Sequence, residues 1–458
     1  MTGVSVRAFG AAHLDEPGLR GALARHWSLI VTLVVAGGYM VTVTLLHSPA
    51  LSPIDEVVYI DYLEKLWRQG VIHSGEYLGD LARQLYACHG VIPFGRMGPE
   101  CGTDLSDSAA FPYGGYSSGE GYPPVQFWIV RTVGDALSLI PGVGQVTGWR
   151  LVGTLWLMGG LVFSYLIARR MRIVGWGFVA VSLAIVASPL GYWSFSFVST
   201  DAPIFCLGAI LLWLAIRFAR GEVSGWWLVG VAALGATFKP TGIAVVGLVL
   251  IYLVARRIRA LRAEGRDARG VLRGLLGPQV GLPLLAFIMA VAVQFAWTRI
   301  VPLLAISRDS ADQGVAVPPT VDLFGQQFTN FLGGALRLVV PQADSATNIF
   351  LPLTWLAIAG VIGSLLMMPR GSRDRSLPIA VLLAFLLAAP FLTAGIVVAS
   401  GSFFPMPPRY GLALMPALIV VTVPLLRNRW AIRALLAYVA ILLGYGIAVT
   451  IAFAGWYP

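Results

Sequence analysis

The chain is short of charge. Of its 458 residues, 12% are Asp, Glu, Lys or Arg, against roughly 25% in a soluble domain, and 57% are hydrophobic. The mean hydropathy is +0.78. That shortage excludes an ordinary soluble globular domain. Several apolar runs approach the ~20 residues that span a bilayer as helix, so the class is a polytopic helical membrane protein. The runs do not alternate polar and apolar residues, which excludes the strands of a membrane barrel. No internal repeat and no separable soluble domain is visible. Lysine is almost missing, 2 against 30 Arg, and carboxylates number only 22. The net charge of +10 does not point to nucleic acid. The arginines cluster at 169–172, 256–273, 370–375 and 427–433, each beside an apolar run, as the positive-inside rule expects.

Against that apolar background, one stretch stands out: Ser52-Pro53-Ile54-Asp55-Glu56. Two adjacent carboxylates follow the first apolar run by a few residues, and an ionisable pair at a membrane surface is a functional-site candidate. The first run lacks a small-residue cleavage site, so it reads as a retained helix rather than a signal peptide. The positive-inside rule then puts the N-terminus, with Arg7 and Arg25, in the cytoplasm.

The expected fold is all-α, a single integral membrane domain over 1–458 with about eleven transmembrane helices. They fall near 28–46, 149–168, 174–190, 202–218, 226–238, 241–255, 276–297, 349–368, 377–398, 411–426 and 432–453. Residues 47–148 form a large first external loop, and 299–348 a second. The second holds Arg308, Asp309, Asp312, Gln326, Gln327, Asn330 and Arg337. In the first, Tyr59, Ile60, Leu63, Leu66 and Trp67 recur at helical spacing, which reads as an amphipathic helix on the membrane surface. Arg131 and Asp135 interrupt 123–140, so that segment is read as interfacial or re-entrant, which keeps the 169–172 arginines inside. The run 226–238 is too short for a full crossing, so Lys239-Pro240 at its tip is expected below the outer surface, in a cavity. Cys88 and Cys101 share the first external loop, where a disulfide can form; the alternative is two free thiols.

Under this topology Asp55, Glu56, Asp201, Lys239 and Arg409 gather at the outer face. Carboxylates and cations over an apolar cavity suit a lipid-linked substrate with a phosphate, and a carboxylate there can act as general base. Adjacent like charges favour protonation of one, which suits a base. Each residue has a plainer reading. Ser52-Pro53-Ile54-Asp55 matches a helix start with Pro at the first position. Glu56 reads as a first-turn acid favoured by the helix dipole, and Asp201 as an N-cap. Lys239 and Arg409 read as interfacial anchors. His47, His73 and His89 match no metal spacing. Trp226, Trp227, Trp456 and Tyr457 read as belt aromatics.

The acidic pair after the first helix resembles the GT-C superfamily of membrane glycosyltransferases. That superfamily includes protein O-mannosyltransferases, the aminoarabinose transferase of lipid A, and actinobacterial envelope arabinosyl- and mannosyltransferases. Tyr122-Pro123-Pro124 late in the loop, Ser199-Thr200-Asp201 opening a helix, and Pro408-Arg409-Tyr410 before a late helix also fit its pattern. The resemblance covers nearly the whole chain in topology, through short motifs. The chain departs from the large arabinosyltransferases in having no terminal carbohydrate-binding domain, which leaves acceptor recognition to the external loops.

The resemblance implies inverting transfer of one sugar from a polyprenyl-phosphate donor to an envelope glycan or glycolipid on the external face of the plasma membrane. The Arg-over-Lys bias associates the chain with GC-rich bacteria and favours arabinofuranose or mannose. Asp55 would be the general base. Glu56 would orient the acceptor, tune Asp55 or help bind a divalent cation, the one cofactor raised. Lys239 and Arg409 would hold the donor phosphate, and Asp201, Tyr122, Tyr410 and His47 are the remaining substrate-binding candidates. Two rivals stand beside this. A transporter or flippase of a lipid-linked saccharide would carry charges along mid-membrane helices or repeated halves. An envelope scaffold would not need charges gathered on one face.

Overall fold

The structure, a computed structural model, describes residues 19–309, 311, 314, 317–334, 336, 348–367 and 375–454. Arg7, Asp312, Arg337, Trp456, Tyr457 and the arginines of 370–374 lie outside the described residues. In chain order the α-helices are α1 (Leu19–Leu46), α2 (Glu56–Gln69), α3 (Asp80–Cys88), α4 (Val125–Leu137), α5 (Gln145–Arg170), α6 (Trp176–Val186), α7 (Pro189–Phe195), α8 (Ala202–Phe218) and α9 (Trp226–Ala236). There follow α10 (Gly242–Ala263), α11 (Ala268–Gly274), α12 (Pro278–Ile300), α13 (Val321–Gly334), α14 (Leu351–Met367), α15 (Ser376–Ser400), α16 (Met415–Thr422) and α17 (Arg429–Ala454). Among the described residues, β-structure is confined to isolated bridges.

Helix occupies all eleven places where the sequence calls for a span. Seven helices among the described residues are long and apolar enough to cross a membrane, eight if α6 and α7 count as one. That pair bends by 68°. The bend has a local cause: Pro189 cannot donate to the helical ladder, and Ser188 Oγ accepts from Gly191 N at 3.1 Å to start the next helix. α8 and α9 are apolar but shorter. Pro240 likewise separates α9 from α10 and leaves Lys239 in the break. α4, within the segment read as non-spanning, has only 13 residues.

The residues before α5, with the start of α5, build a second hydrophobic cluster on the end of the bundle, around Tyr59, Tyr62, Leu63, Phe127 and Trp149. α2 differs from the surface helix expected: it packs against α3 and α4, and Tyr59 to Leu63 are all buried. Its acids Asp61 and Glu64 turn inward to the start of α3. Asp61 Oδ1 accepts from Gly79 N at 2.6 Å, and Glu64 Oε2 from Leu81 N at 3.1 Å. Those are orphan donors of a helix N-terminus. Burial pushes the Asp61 carboxyl up from its ordinary range, opposed by Lys65. Cys88 and Cys101 form a disulfide, with Cα atoms 4.7 Å apart, that closes α3 onto the loop after it.

One buried ion pair fastens this end to the bundle. Arg150, near the start of α5, is 2% exposed and Glu56 0%. Arg150 Nε donates to Glu56 Oε1 at 2.8 Å and Nη2 to Oε2 at 3.0 Å, a bidentate fork. The same guanidinium donates to the carbonyls of Ser48 and Ala50, and Glu56 accepts from the amides of Ser52 and Val198. Removing one partner of such a pair leaves an uncompensated buried charge. Glu56→Gln should therefore destabilise the protein by about 3–5 kcal/mol, read as a large fall in the melting temperature of the detergent-solubilised protein. A Glu56→Gln variant that melts with wild type would refute this structural role.

Candidate active site

Asp55 and Glu56 are adjacent, yet their carboxyls part. Asp55 has φ 56° and ψ 12°, in the left-handed region, where L-residues other than Asn and Asp rarely sit. It precedes α2 as its N-cap without a side-chain capping bond, so its carboxylate is free for another partner. That partner is Arg409, whose Nη2 donates to Asp55 Oδ2 at 2.8 Å. Each carboxylate of the adjacent pair faces its own arginine, Asp55 toward Arg409 and Glu56 toward Arg150.

Arg409 opens the short 3-10 segment Pro408–Leu414, which leads into α16. This segment lies close against α8: a Cβ at Gly208 would meet the carbonyl of Ala413. The close approach brings Arg409 to the start of α8, where its Nε sits 3.4 Å from Asp201 Oδ2. This is an ion-pair contact without hydrogen-bond geometry. Asp201 Oδ1 accepts from Lys239 Nζ at 2.6 Å, and both side chains are 2% exposed. Lys239 Nζ also stands 4.3 Å from the centre of the Tyr410 ring, a cation–π contact. Four segments far apart in sequence thus meet in a chain of alternating charge: Asp55, Arg409, Asp201, Lys239.

Asp55, Lys239 and Arg409 of this cluster border a cavity of about 860 Å³. Asp55, Tyr122, Lys239, Arg409 and Tyr410 line it, whereas Asp201 stands behind the two cations. Tyr59 of α2 backs the wall from behind Tyr122: its hydroxyl donates to Tyr122 Oη at 3.2 Å and accepts from Thr200 Oγ1 at 3.1 Å. Burial pushes both tyrosine hydroxyls well above their ordinary range, reinforced for Tyr122 by the Asp55 carboxylate, so they remain O–H donors. The rest of the wall is mostly apolar. Val291 and Phe295 come from α12, and Phe391, Leu392 and Ile396 from α15. Phe295 is 57% and Phe391 53% exposed, so the wall reaches the outer surface of the bundle between these helices.

Two expected site residues lie elsewhere. Glu56 does not line the cavity, since both of its oxygens are held by Arg150 and backbone amides. His47 does not line it either. It packs against Phe197 and Tyr192, with Nε2 3.0 Å from Ser196 Oγ. Burial, then Arg150, holds the His47 imidazole well below its ordinary range and keeps it neutral. A divalent cation does not fit the donor set. Asp55 and Asp201 face cations, Glu56 is committed to Arg150, and no three His, Cys, Asp or Glu gather among the described residues. Reasoning from sequence missed Arg150 and Gln294, the last a polar cavity residue on α12, and gave no site role to Tyr59, placed on a surface helix, or to Thr200, noted only within a motif. Arg150 and Gln294 were detectable as lone polar groups inside apolar runs.

Three solved structures are similar over most of this chain. ArnT from Cupriavidus metallidurans, bound to undecaprenyl phosphate, shares 16% identity at a TM-score of 0.45, covering 91% of this chain and 63% of that one. The Archaeoglobus fulgidus oligosaccharyltransferase tethered to an acceptor peptide shares 14% at 0.44, covering 94% and 55%. Its apo form shares 13% at 0.43, covering 94% and 56%. The chain therefore spans less than two thirds of the length of these proteins. No curated protein matches it in sequence. A family model described as "Predicted membrane protein (DUF2142)" matches residues 103–332. With half of its length matched and its apolar helices of membrane-crossing length, the chain is a multi-pass membrane protein that belongs to the DUF2142 family.

Proposed function

We propose that the protein is a GT-C-type glycosyltransferase that moves one sugar from a polyprenyl-phosphate donor to a glycan or glycolipid acceptor. The observation that carries this reading is the cavity: apolar along α12 and α15, and ending in two cations and a carboxylate. A polyprenyl tail would lie along Phe295, Phe391 and their neighbours, where the alternative is lipid. The phosphate would reach Lys239 and Arg409, which Asp201 holds in place. The charged end faces the exterior on this reading. The ion pairs of Arg170 and Arg217 with Glu222 join the opposite helix ends, where the arginines concentrate, as the positive-inside rule has it for a cytoplasmic side.

In the reaction, the acceptor hydroxyl attacks the anomeric carbon of the donor. A bond forms between acceptor oxygen and that carbon, while the bond from the carbon to the phosphate oxygen breaks with inversion. Asp55 takes the hydroxyl proton, and polyprenyl phosphate leaves with the electron pair. A bound phosphate competes with Asp55 for the Arg409 guanidinium, so donor binding itself loosens the ion pair and frees the base. Lys239 and Arg409 then stabilise the charge that grows on the leaving phosphate. The Tyr59 and Tyr122 hydroxyls stand beside the base as neutral donors. Mannose and arabinofuranose are the favoured sugars, on the resemblance to actinobacterial envelope enzymes.

Two measurements test the reading. Asn tolerates the left-handed backbone of position 55, so Asp55→Asn should melt like wild type and still bind undecaprenyl phosphate. Its transfer of sugar from polyprenyl-phosphate mannose or arabinose should fall by about 10²–10⁴-fold, the usual contribution of a general base. Unchanged turnover in that variant would remove Asp55 from the chemistry. The second measurement concerns the carboxylate behind the cations. Asp201→Asn should lose about 3 kcal/mol of stability by stranding Lys239. Asp201→Leu combined with Lys239→Met should recover most of it, because an apolar pair of similar volume replaces a buried ion pair at little cost. The double variant should still fail to bind undecaprenyl phosphate. If it binds the lipid with wild-type affinity, Lys239 is not a phosphate ligand.

A further inference from the structure

A second constellation lies outside the charge cluster, on the loops around the cavity. Tyr77 and Tyr116 pair across an isolated antiparallel bridge. Leu78 N donates to Gly115 O at 2.8 Å, and Ser117 N to Glu76 O at 2.7 Å, so the two backbones are fixed on either side of the pair. Cross-strand neighbours put their side chains on one face. The rings stack with centroids 4.6 Å apart and planes 20° from parallel. Tyr77 is nonetheless 47% exposed. The hydroxyls meet at 3.1 Å, and Tyr116 donates to Asp309 Oδ2 at 3.3 Å. Ser307 Oγ also donates to Asp309 Oδ2, at 3.2 Å. Asp309 is exposed.

Two features tie this platform to the cavity. The chain after Tyr116 includes Ser118, Gly121 and Tyr122, and the chain after Asp309 includes Ala311 and Gly314, all of which line the cavity. Two residues of chain reach at most about 7 Å, so the platform stands at the rim. The second segment is clamped to the first: Ile306 N donates to Ser74 O at 2.9 Å, and a Cβ at Gly75, with φ 82°, would meet Ser307.

We propose that Tyr77, Tyr116 and Asp309 form a docking platform for a saccharide at the mouth of the cavity, where it would present an acceptor hydroxyl to Asp55. The inference rests on the glycosyl-transfer reading for the acceptor role, while the binding site stands on its own geometry. A sugar ring has an apolar C–H face and a rim of hydroxyls. The electron-rich face of an aromatic ring attracts the electropositive C–H groups. A carboxylate at the ring edge accepts hydroxyl hydrogens in charge-assisted bonds. A peptide acceptor would be gripped by an open sheet edge or by apolar side-chain pockets, and the bridge here is a single pair. The rigid backbone lowers the cost of ordering the platform on binding.

The test uses the full chain in lipid nanodiscs and a glycan array carrying α-linked mannose and arabinofuranose oligosaccharides, with affinities of the hits read by saturation-transfer NMR. The wild type should bind at least one glycan. Tyr77→Ala and Tyr116→Ala should each weaken that binding about tenfold. Tyr77→Phe, which keeps the stacked ring, should retain it. All three variants should bind undecaprenyl phosphate as wild type does, which also shows that they are folded. An array with no hits, alanine variants that bind like wild type, or capture of unglycosylated Ser-, Thr- or Asn-containing peptides in place of sugars would each overturn the platform. If undecaprenyl phosphate binds in a way that depends on Lys239 and Arg409 but no glycan binds, the donor site survives and the platform falls. If a Tyr77-dependent glycan binds and the lipid does not, the platform survives and the donor reading falls.

Discussion

The Asp201 carboxylate governs the arrangement at the charged end of the cavity. A lysine and an arginine beside one another in an apolar interior repel and are each costly to desolvate. One carboxylate between them, with an oxygen toward each, makes both tolerable. The consequence is positional as much as energetic. The break between α9 and α10, the entry to α8 and the segment before α16 must all converge for the charges to be satisfied. Every piece of backbone that carries a cation to the cavity is therefore held by the same acid. Asp55 extends the chain by one more ion pair and ties in the start of α2.

A second constraint acts one residue away. Glu56 cannot serve the cavity because it is already satisfied by Arg150 and four backbone groups are drawn into the same knot. Its burial fixes the start of α2, and that in turn forces Asp55 to turn the chain through a left-handed conformation. A strained backbone on the order of 1 kcal/mol is held there by a buried ion pair several times stronger to break. The pair thus divides labour: one carboxylate anchors, and its neighbour is aimed.

This division marks the boundary of what the sequence discloses. The helix pattern was legible because long apolar runs between arginine clusters admit few alternatives. Asp55, Asp201, Lys239 and Arg409 were legible because charges are so scarce here that each one beside an apolar run has to be accounted for. What was hidden is directional. Adjacency in sequence suggested that Asp55 and Glu56 act together, but a positive φ separates them, and nothing in the residue types reveals it. The helix of Tyr59 to Trp67 was expected on the membrane surface because the partners of its acids Asp61 and Glu64, the amides that open α3, lie in a different segment. His47 sat beside the acidic pair in sequence, yet Phe197 and Tyr192 enclose it. The break between α6 and α7 was the opposite case: Ser188-Pro189 carries the signal, and the apolar run on both sides of it masked a sharp bend.

The distribution of polarity around the cavity then follows from where each wall comes from. α12 and α15 are packed on α10 by one face and leave Phe295 and Phe391 at the outside of the bundle. In a membrane such residues are at ease against lipid tails, so exposing them costs nothing there. The polar groups come instead from helix breaks and loops, where backbone irregularity is tolerated because it lines a cavity. A single chamber is thereby apolar along α12 and α15, cationic at Lys239 and Arg409 and bordered by tyrosines toward the loops. Under the proposed function, each of these surfaces would take a different part of one amphipathic substrate pair: tail, phosphate and sugar. No one helix supplies more than part of that gradient, and the ion-pair chain through Asp201 is what keeps the parts in register.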